Sequence, residues 1–446
     1  MKTLLERAKG FALDILAGYM DPIRTITLLL PHTEQIRSLD FVDGRWSDIR
    51  KFSEFVSGPL PLLRILRINA VGGVDLYGTD AMTPPPFSLF SNAANLQELS
   101  LYSDLPPPLN HFDFPNLTFF ELSALSGGLQ ASQLLDFLEA SPMLQAVCVD
   151  IEGTISLHGV PQERIVVLPN VESLSLVMND GEPGYRLAAH ISCPSAKDTS
   201  LTHDGGTSYV TPREIFPVSV SWNAIVRQYT RNPVEEVALE MKTPSDSTIA
   251  CSLTFRSPDA TVIRLHFNLA APDEEGYRDD EVQFEVFAEM YWEIFSQACM
   301  TIRGHTLLIK IQRLRICHTS LVSYYAQTMR VTDEVGQLFK SVGPLEELIF
   351  HHCDMGAYLA SFHDNFIHRD VRKLVVFPPI KELTISDPSY IALANFGAAM
   401  VGLAESQHAL GVPFERVTVR MDRLPAEMAE RLKPWVGAVH CHIERF

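Results

Sequence analysis

A short pattern of apolar residues recurs along the whole chain: apolar, two variable residues, apolar, one variable residue, apolar. We call it the core phrase and number its positions one to six. Side chains alternate between the two faces of a strand, so positions four and six share a face, and each phrase predicts a strand. Thirteen copies begin at Ile36, Leu63, Leu96, Leu117, Leu144, Val171, Ala196, Val234, Val262, Ile311, Leu345, Ile380 and Phe414.

The residue immediately before the phrase is more informative than the phrase itself, because a chain of this composition yields on the order of a dozen chance copies. Pro and Asn are turn residues, and a turn before an alternating apolar run is typical of a loop that leads into a strand. In seven copies that preceding residue is Pro or Asn, namely Asn95, Asn116, Asn170, Pro233, Pro344, Pro379 and Pro413.

The segments between the phrases carry helical periodicity. Apolar residues at three- and four-residue spacing predict helices over 46–56, 132–139, 334–341 and 395–405, and a longer helix over 282–300. Successive phrases begin 21 to 49 residues apart, against the ~20–29 typical of leucine-rich repeats. Such repeats also place Asn, Cys or a small polar residue at the ninth position, where the backbone turns. Here that position holds Asn179, Cys353, Thr319, Asp104, Asp204 and Asp422.

These patterns predict an α/β leucine-rich-repeat solenoid, with a curved parallel sheet on the concave side and helices and loops outside. Residues 1–35 are predicted to form an N-terminal cap or linker, with a strand at 23–30. Residues 36–446 form about 12–13 irregular repeats, interrupted at 272–303 by an acidic loop and the long helix.

Composition narrows the classes of partner. The net charge is −18, which disfavours nucleic acid and anionic membranes, because both require clustered Lys and Arg. The seven cysteines include no CxxC pair, so a disulfide framework is not indicated. The start of the chain has charges where a secretory signal needs apolar residues. We expect a monomer in the cytoplasm or nucleus.

The first residues resemble a known family. Residues 5–15 and 27–41 look like the segment that follows the F-box in the expanded F-box leucine-rich-repeat proteins of mushroom-forming fungi, and residues 134–144 are similar to their typical repeat. The resemblance covers essentially the whole chain. It implies that the repeats hold a substrate, while the F-box binds the Skp1 subunit of a cullin–RING ubiquitin ligase.

The F-box itself is expected to be missing. It is a three-helix module of ~45 residues, close to the smallest independently folding size, and only 35 residues precede the first phrase. Skp1 is therefore expected as a partner only if an F-box is present upstream. The resemblance favours the substrate-recognition part of a ubiquitin-ligase adaptor. The alternative is a free-standing repeat scaffold without a ubiquitin role.

Candidate catalytic and metal chemistry is sparse. The segment 351–354 holds two histidines, Cys353 and an aspartate, and His363 and His368 follow, but this spacing matches no standard zinc pattern. A role for Cys353 as a ninth-position residue is favoured. No Walker loop, GxSxG, HExxH or GxGxxG motif occurs. We expect no catalytic residue, cofactor or metal. An enzyme or metal-binding protein built on Cys353 and the nearby histidines is the least favoured interpretation.

The concave face is the predicted partner-binding surface. Alternating charge zones along it would select one charged partner, with exposed apolar side chains such as Ile65, Phe119, Ile263 and Ile349 as anchors. The predicted site residues are Arg37, Arg64, Arg67, Glu98, Phe119, Glu121, Glu172, Arg264, His266, Arg313, Arg315, Glu346 and Ile349.

Overall fold

A computed structural model of the chain divides into two compact units. The first comprises Met1–Asp204 with Ala224–Tyr229, and the second comprises Gly205–Asn223 with Thr230–Phe446. The structure describes residues 11–18, 27–44, 60–70, 93–104, 109, 114–125, 128–179, 181–204, 216, 224–225, 233–245, 248–259, 261–270, 280–303, 311–319, 337–339, 341–353, 379–386, 393–409, 411–420 and 426–442.

The first unit is built on parallel strands that follow one another in chain order. They are β1 (Leu13–Gly18), β2 (Ile36–Gly44), β3 (Ile65–Ala70), β4 (Glu98–Ser103), β5 (Phe119–Ala124), β7 (Ala146–Ile151), β10 (Ser173–Met178) and β12 (Asp198–Asp204). Two short parallel pairs lie in the connections: β6 (Gly128–Gln130) with β8 (Thr154–Ser156), and β9 (Val166–Val167) with β11 (Ile191–Ser192).

The second unit combines an antiparallel meander with further parallel strands. Its strands are β13 (Glu236–Ser245), β14 (Thr248–Arg256), β15 (Val262–Ala270), β16 (Arg313–Thr319), β17 (Leu345–His351), β18 (Ile380–Ser386), β19 (Phe414–Arg420) and β20 (Val436–His442). The meander runs β15–β14–β13, and β13 then pairs in parallel with β16, from which the strands continue in chain order to β20.

Helices are few in the part of the chain that the structure describes. The helices with described bounds are α1 (Ala131–Glu139), α2 (Gly181–Ala189), α3 (Asp280–Arg303), α4 (Leu393–Ala409), α5 (Ala426–Leu432) and a 3-10 helix at Leu30–Gln35, and short helical pieces occur at 27–29, 224–225, 337–339 and 341. The fold is thus mixed α/β with mostly parallel strands. The predicted helices over 132–139, 282–300 and 395–405 are confirmed by α1, α3 and α4, whereas the one over 46–56 lies outside the described residues.

One turn recurs before six strands of the first unit. The N–H of phrase position one donates to the carbonyl three residues earlier, as in the bond from Leu117 to Phe114 at 3.1 Å. Pro is favoured at the second residue of such a turn because its fixed φ suits that position. The six turns span 60–63, 93–96, 114–117, 141–144, 168–171 and 193–196, and all but the second have Pro there.

Side chains link these turns to one another. In four turns the third residue donates to the carbonyl of the second residue in the preceding turn. The bonds run from Asn95 to Pro61 at 2.7 Å, from Asn116 to Ala94 at 2.8 Å, from Asn170 to Pro142 at 3.0 Å and from Ser195 to Pro169 at 2.6 Å. We call this set the turn ladder. It gives a physical reason for the Asn residues that precede the phrases.

All thirteen phrases fall on or immediately before strands, and positions four and six are buried in each. The copy at Val262 departs at position one, because Val262 is only half-buried and Ile263 is fully buried. The recurring turn of the first unit is replaced here by the connection between two antiparallel strands, in which Ser257 N–H donates to the Thr261 carbonyl, and β15 keeps strict alternation as a strand of the meander. The predicted continuous parallel sheet is therefore wrong for β14 and β15.

The structure also differs from the prediction in the N-terminal segment and in the connections between strands. A strand was expected at 23–30, but Thr27–Leu29 is helical and Leu30 begins the 3-10 helix, while β1 forms at Leu13–Gly18 inside the predicted linker. A helix was expected in each repeat, but residues 152–170 contain only turns with β8 and β9. Between 334 and 341 only Gln337–Phe339 and Ser341 are described as helical.

Candidate binding surface

Each parallel strand presents two faces of different character. Phrase positions four and six are buried, and so is each described residue at position eight except His352, which follows β17 and is exposed. Positions three, five and seven point the other way, where nearly all described residues are half-buried or exposed. We call the surface formed by positions three, five and seven the outward face of each unit. Because neighbouring parallel strands are in register, equal positions lie side by side in rows. The fold therefore displays a grid of side chains on each unit.

Seven predicted site residues belong to the first unit, and the structure assigns them to two regions. Position two, where the chain leads into each strand, holds exposed Arg37, Arg64 and Glu172. The outward face holds the remaining four: Arg67, Glu98, Phe119 and Glu121. The side chains of Glu98 and Phe119 are in-register neighbours, so a carboxylate and a half-buried aromatic ring lie side by side.

Three basic residues of this surface are engaged by acidic neighbours. Arg37 donates two hydrogen bonds to Asp14, and this bonding lowers the pKa of the Asp14 carboxyl. Arg67 lies 3.7 Å from Glu98. At position two of β12, Lys197 lies 2.8 Å from Glu172. Exposed ion pairs add little to stability, but these pairs reduce the positive charge that Arg37, Arg67 and Lys197 offer to a partner.

A polar cluster occupies the centre of the first outward face. Tyr102 donates a hydrogen bond to Glu121, and burial together with this carboxylate raises the pKa of Tyr102 to about 12. Beside Glu121 lies Cys148, which Ser175 hydrogen-bonds. Burial and the charges of Glu121 and Asp150 raise the pKa of the Cys148 thiol. A thiol kept protonated in this way is a poor nucleophile.

The carboxylates of Asp150, Glu152 and Asp204 lie near the C-terminal ends of β7 and β12. Asp150 is at position seven of β7, and burial together with the charges of Glu152 and Asp204 raises its pKa. The in-register neighbours of Asp150 are Ser123 and Val177, which are uncharged. The prediction missed Tyr102 and Asp150 because it considered positions two, three and five of each strand, and it missed Cys148, at position five, because it selected charged and large apolar residues. Continuing the alternation of the strand by two residues locates Tyr102 and Asp150.

The other six predicted residues belong to the second unit. Glu346 is at position two, Arg313 is at position three, and Arg315 and Ile349 are at position five. Arg264 and His266 lie on β15 and are half-buried. Ile263 was expected to be an exposed anchor, but it is fully buried. Half-buried and buried residues alternate along β15 from Val262 onward, which places Ile263 on the buried face.

Charges on the second outward face pair with one another along a row. Glu236 lies between two arginines, 3.2 Å from Arg256 and 3.7 Å from Arg313. Farther along the row Arg416 lies 3.3 Å from Glu382. Arg313 is thus neutralised by its own sheet. Arg315 differs from Arg313, because its in-register neighbours, Ala238 and Ile349, carry no charge.

The segment around Cys353 behaves as a structural turn. The Cys353 thiol donates to the carbonyls of Ile316 and His351, each at 3.4 Å, and His352 adopts a positive φ of 52°. The bond to Ile316 connects the segment after β17 to the neighbouring strand β16. His363 and His368 lie outside the described residues. Within those described, no group of three or more His, Cys, Asp or Glu side chains is arranged to hold a metal ion.

A buried polar pair lies in the second unit, on the side of the strands opposite the outward face. Tyr291 of α3 and His318 of β16 are hydrogen-bonded at 2.6 Å between the hydroxyl and Nδ1, with Phe295 against the imidazole ring. Burial lowers the pKa of His318 to about 3 and raises that of Tyr291. The pair joins the long helix to the sheet and does not open onto the outward face.

Comparison of the chain with known protein families finds no match, and comparison with curated proteins finds no significantly similar relative. Among the described helices, none is both long enough and apolar enough to span a membrane.

Proposed function

We propose that this protein is a protein-binding module whose two units are irregular leucine-rich-repeat arrays. The turn ladder is the observation that carries the proposal. It links equivalent positions in successive turns of the first unit, with spacings of 34, 22, 28 and 26 residues, which supports a structural repeat over a chance recurrence of apolar residues. Arrays of this kind expose a broad row of strand side chains that suits a macromolecular partner.

The chemistry of the outward faces supports binding over catalysis. In the first unit the Cys148 thiol is held protonated, and Tyr102 retains its proton well above neutral pH. A general base or nucleophile needs a pKa near the working pH. The third interpretation, an enzyme or metal site around Cys353, has less support because its thiol is buried and bonded to main-chain carbonyls.

The direct test is capture of partners by the full chain in cells that express it, quantified by mass spectrometry. The experimental variant is Arg315→Glu with Ile349→Asp, which reverses one charge and removes one apolar contact on the second outward face. A matched control is Arg303→Glu with Met300→Asp, at the end of α3. The partner should be lost from the experimental variant and retained by the control. Equal capture by both variants would exclude the second outward face.

The charge reversals Arg313→Glu and Arg315→Glu are not equivalent tests of the second outward face. Arg313 is paired with Glu236, so reversing its charge also disturbs the sheet surface. Arg315→Glu is therefore the more specific test. A partner that recognises charge on this face should lose more affinity for Arg315→Glu than for Arg313→Glu.

We further propose, from the resemblance to fungal F-box proteins, that the bound partner is a substrate of a ubiquitin ligase. Mapping the 5′ end of the transcript tests whether an F-box is encoded upstream. If it is, the natural product should capture Skp1 with the wild-type and the Arg315→Glu outward face alike, since Skp1 binds the F-box. Capture of a partner without Skp1 would favour the free-standing scaffold.

A further inference from the structure

We propose that the open edge of β1 binds an extended strand of a partner protein, which joins the sheet beside β1 and places apolar side chains next to Ile15 and Ala17. We call this surface, formed by Asp14–Gly18, the β1 edge. The proposal goes beyond the binding function proposed above, because it relies on main-chain groups at an edge of the sheet and not on the side chains of an outward face.

The main-chain groups of Asp14 and Leu16 point toward this edge. In seven described pairs of parallel strands, the N–H of position three donates to the position-two carbonyl of the preceding strand, as in the bond from Glu98 to Arg64 at 2.9 Å. Positions three and five therefore bond to the preceding strand, because main-chain groups alternate in direction along a strand. Asp14 and Leu16 are in register with positions three and five of β2. Among the described strands none precedes β1 in the sheet to pair with these groups.

The apolar core is also open at β1. Ile15 and Ala17 are in register with Leu39 and Phe41 of β2. Leu39 and Phe41 are buried, whereas Ile15 and Ala17 are only half-buried. Since removing apolar surface from water is favourable, a further strand with apolar side chains at the matching positions would complete the burial of both residues.

The β1 edge lacks the usual features that prevent pairing. Natural edge strands carry Lys, Pro or a bulge for this purpose. The strand β1 contains neither Lys nor Pro, and its one shift in register lies at its start, between Leu13 and Asp14. Its single charged side chain, Asp14, is hydrogen-bonded to Arg37 of β2. The charge that would repel an approaching strand is therefore compensated within the sheet.

The last strand, β20, differs from β1 in its exposed residues. The exposed residues described in β20 are Gly437 and His440, and none of them is large and apolar. Helix α5 packs against β20 through its C-terminal end, where Leu432 is fully buried. By contrast, Leu16 and Phe11, at and just before β1, are each 71% exposed, more than any other large hydrophobic side chain among those described. Exposed apolar side chains therefore mark the β1 edge specifically.

Charge and area favour a different protein over a second copy of this chain. Two copies would each carry a net charge of −18, and their mutual repulsion opposes association. Pairing two strands of six residues also buries less than the ~800 Å² per partner of a stable interface. In strand addition to a sheet edge, main-chain hydrogen bonds supply affinity and pockets for alternate side chains supply specificity. The expected partner is therefore a neutral or basic strand with apolar residues at alternate positions.

The test uses the full chain and a fluorescein-labelled peptide with the sequence of residues 63–70, which includes β3 and carries two arginines. Fluorescence anisotropy measures its binding to the wild type and to two variants. Leu16→Pro removes the N–H that points to the open edge and keeps the bonds to β2, since an edge strand tolerates Pro where its N–H faces solvent. Leu16→Ala is the matched control, because it shortens the same side chain and keeps the N–H.

We expect the peptide to bind the wild type and Leu16→Ala with similar affinity, and Leu16→Pro at least tenfold more weakly. A second measurement uses only the wild-type chain, so it does not depend on the folding of a variant. Two further peptides are methylated on main-chain nitrogens, one at residues 65 and 67 and the other at residues 66 and 68. Each lacks the donors of one edge, so only one of them should bind if the peptide pairs as a strand.

Three outcomes would overturn the proposal: no binding of the unmodified peptide to the wild type, equal binding to Leu16→Pro and Leu16→Ala, or equal binding of the two methylated peptides. Sedimentation velocity tests the remaining occupant. A dimer of the wild type that Leu16→Pro abolishes would assign the β1 edge to a second copy and would likewise overturn the proposal. The capture experiment above uses variants of the second unit, so the two proposals can fail independently.

Discussion

The side-chain amide of Asn116 donates a 2.8 Å hydrogen bond to the main-chain carbonyl of Ala94, the equivalent turn position one repeat earlier. This single contact connects a sequence observation to a structural cause. An Asn before an apolar phrase donates to a carbonyl of the preceding turn, so one bond holds the two turns against each other.

The turn ladder has a gap that can be filled. Met143 occupies the third position of its turn and is 46% exposed. Because a Met side chain has no hydrogen-bond donor, it supplies no such bond. Met143→Asn should place an amide within reach of the Pro115 carbonyl and raise the free energy of unfolding by about 0.5–1.5 kcal/mol. Asn116→Ala should lower it by a similar amount. Urea denaturation measures both, and Met143→Ala serves as the control, with little change expected.

Acid sensitivity should arise from His318. Its pKa is about 3 in the folded chain against 6.5 for an ordinary histidine, so the unfolded chain binds one more proton between these values. The stability that the neutral ring contributes is complete above pH 6.5 and is lost as pH falls toward 3, at up to about 1.4 kcal/mol per pH unit. His318→Gln should remove that part of the slope.

The control for this prediction is Tyr291→Phe, which deletes the hydroxyl that bonds His318 but leaves the imidazole buried. It should lower stability at neutral pH and keep the steep acid slope. If His318→Gln and the wild type lose stability in parallel between pH 6 and pH 4, then His318 is not the source of the acid sensitivity.

A buried amide in α4 should cost stability. Gln407 is fully buried, and among the described residues neither amide atom of its side chain has a hydrogen-bond partner. An unsatisfied buried polar group costs about 1–3 kcal/mol. Gln407→Leu should therefore raise the midpoint of thermal unfolding, whereas Gln407→Glu should lower it because a buried charge costs more than a buried amide. A lower midpoint for Gln407→Leu would show that the amide is satisfied in solution.

The thiol of Cys148 should react slowly with iodoacetamide at neutral pH. Burial and two nearby carboxylates raise its pKa, and the thiolate is the reactive form. We expect labelling at least tenfold slower than in the unfolded chain, followed by peptide mass spectrometry. Glu121→Gln should accelerate labelling of Cys148 and leave buried Cys193, whose pKa burial raises to about 12, unchanged. Rapid labelling of the native wild type would reopen the nucleophile interpretation.

The strands that follow a turn could be located from the sequence. The apolar phrase indicates the strand, and the preceding Pro or Asn indicates the turn that leads into it. Even the poor copy at Ala196 forms β12, with Thr199 fully buried at position four. Strands of a different type were missed. In β14 the buried residues Ile249, Cys251 and Leu253 alternate strictly, and such a run does not match a phrase that begins with a turn.

The sequence predicted residues that lie on the candidate surface, but it did not predict which of them pair with one another. Alternation along the strands placed Arg67, Glu121 and Arg315 correctly on the solvent side. It could not show that Glu236 neutralises Arg313 or that Tyr102 bonds Glu121, because these contacts depend on the register between strands far apart in the chain. The C-terminal strand β20 was also missed, although Val436 and Val439 follow the same spacing as the other copies.

The turn ladder joins each repeat only to its immediate neighbour, and its bonds lie entirely in the turn that precedes the strand. The rest of each repeat is free to vary in length, as the unequal spacing of the rungs shows. On the proposed repeat architecture, the gain or loss of one unit by in-frame recombination would change only the rungs to its immediate neighbours. On the proposed function, the outward side chains that would contact a partner are different residues from those that form the rungs, so specificity could change one strand at a time without loss of the turn ladder.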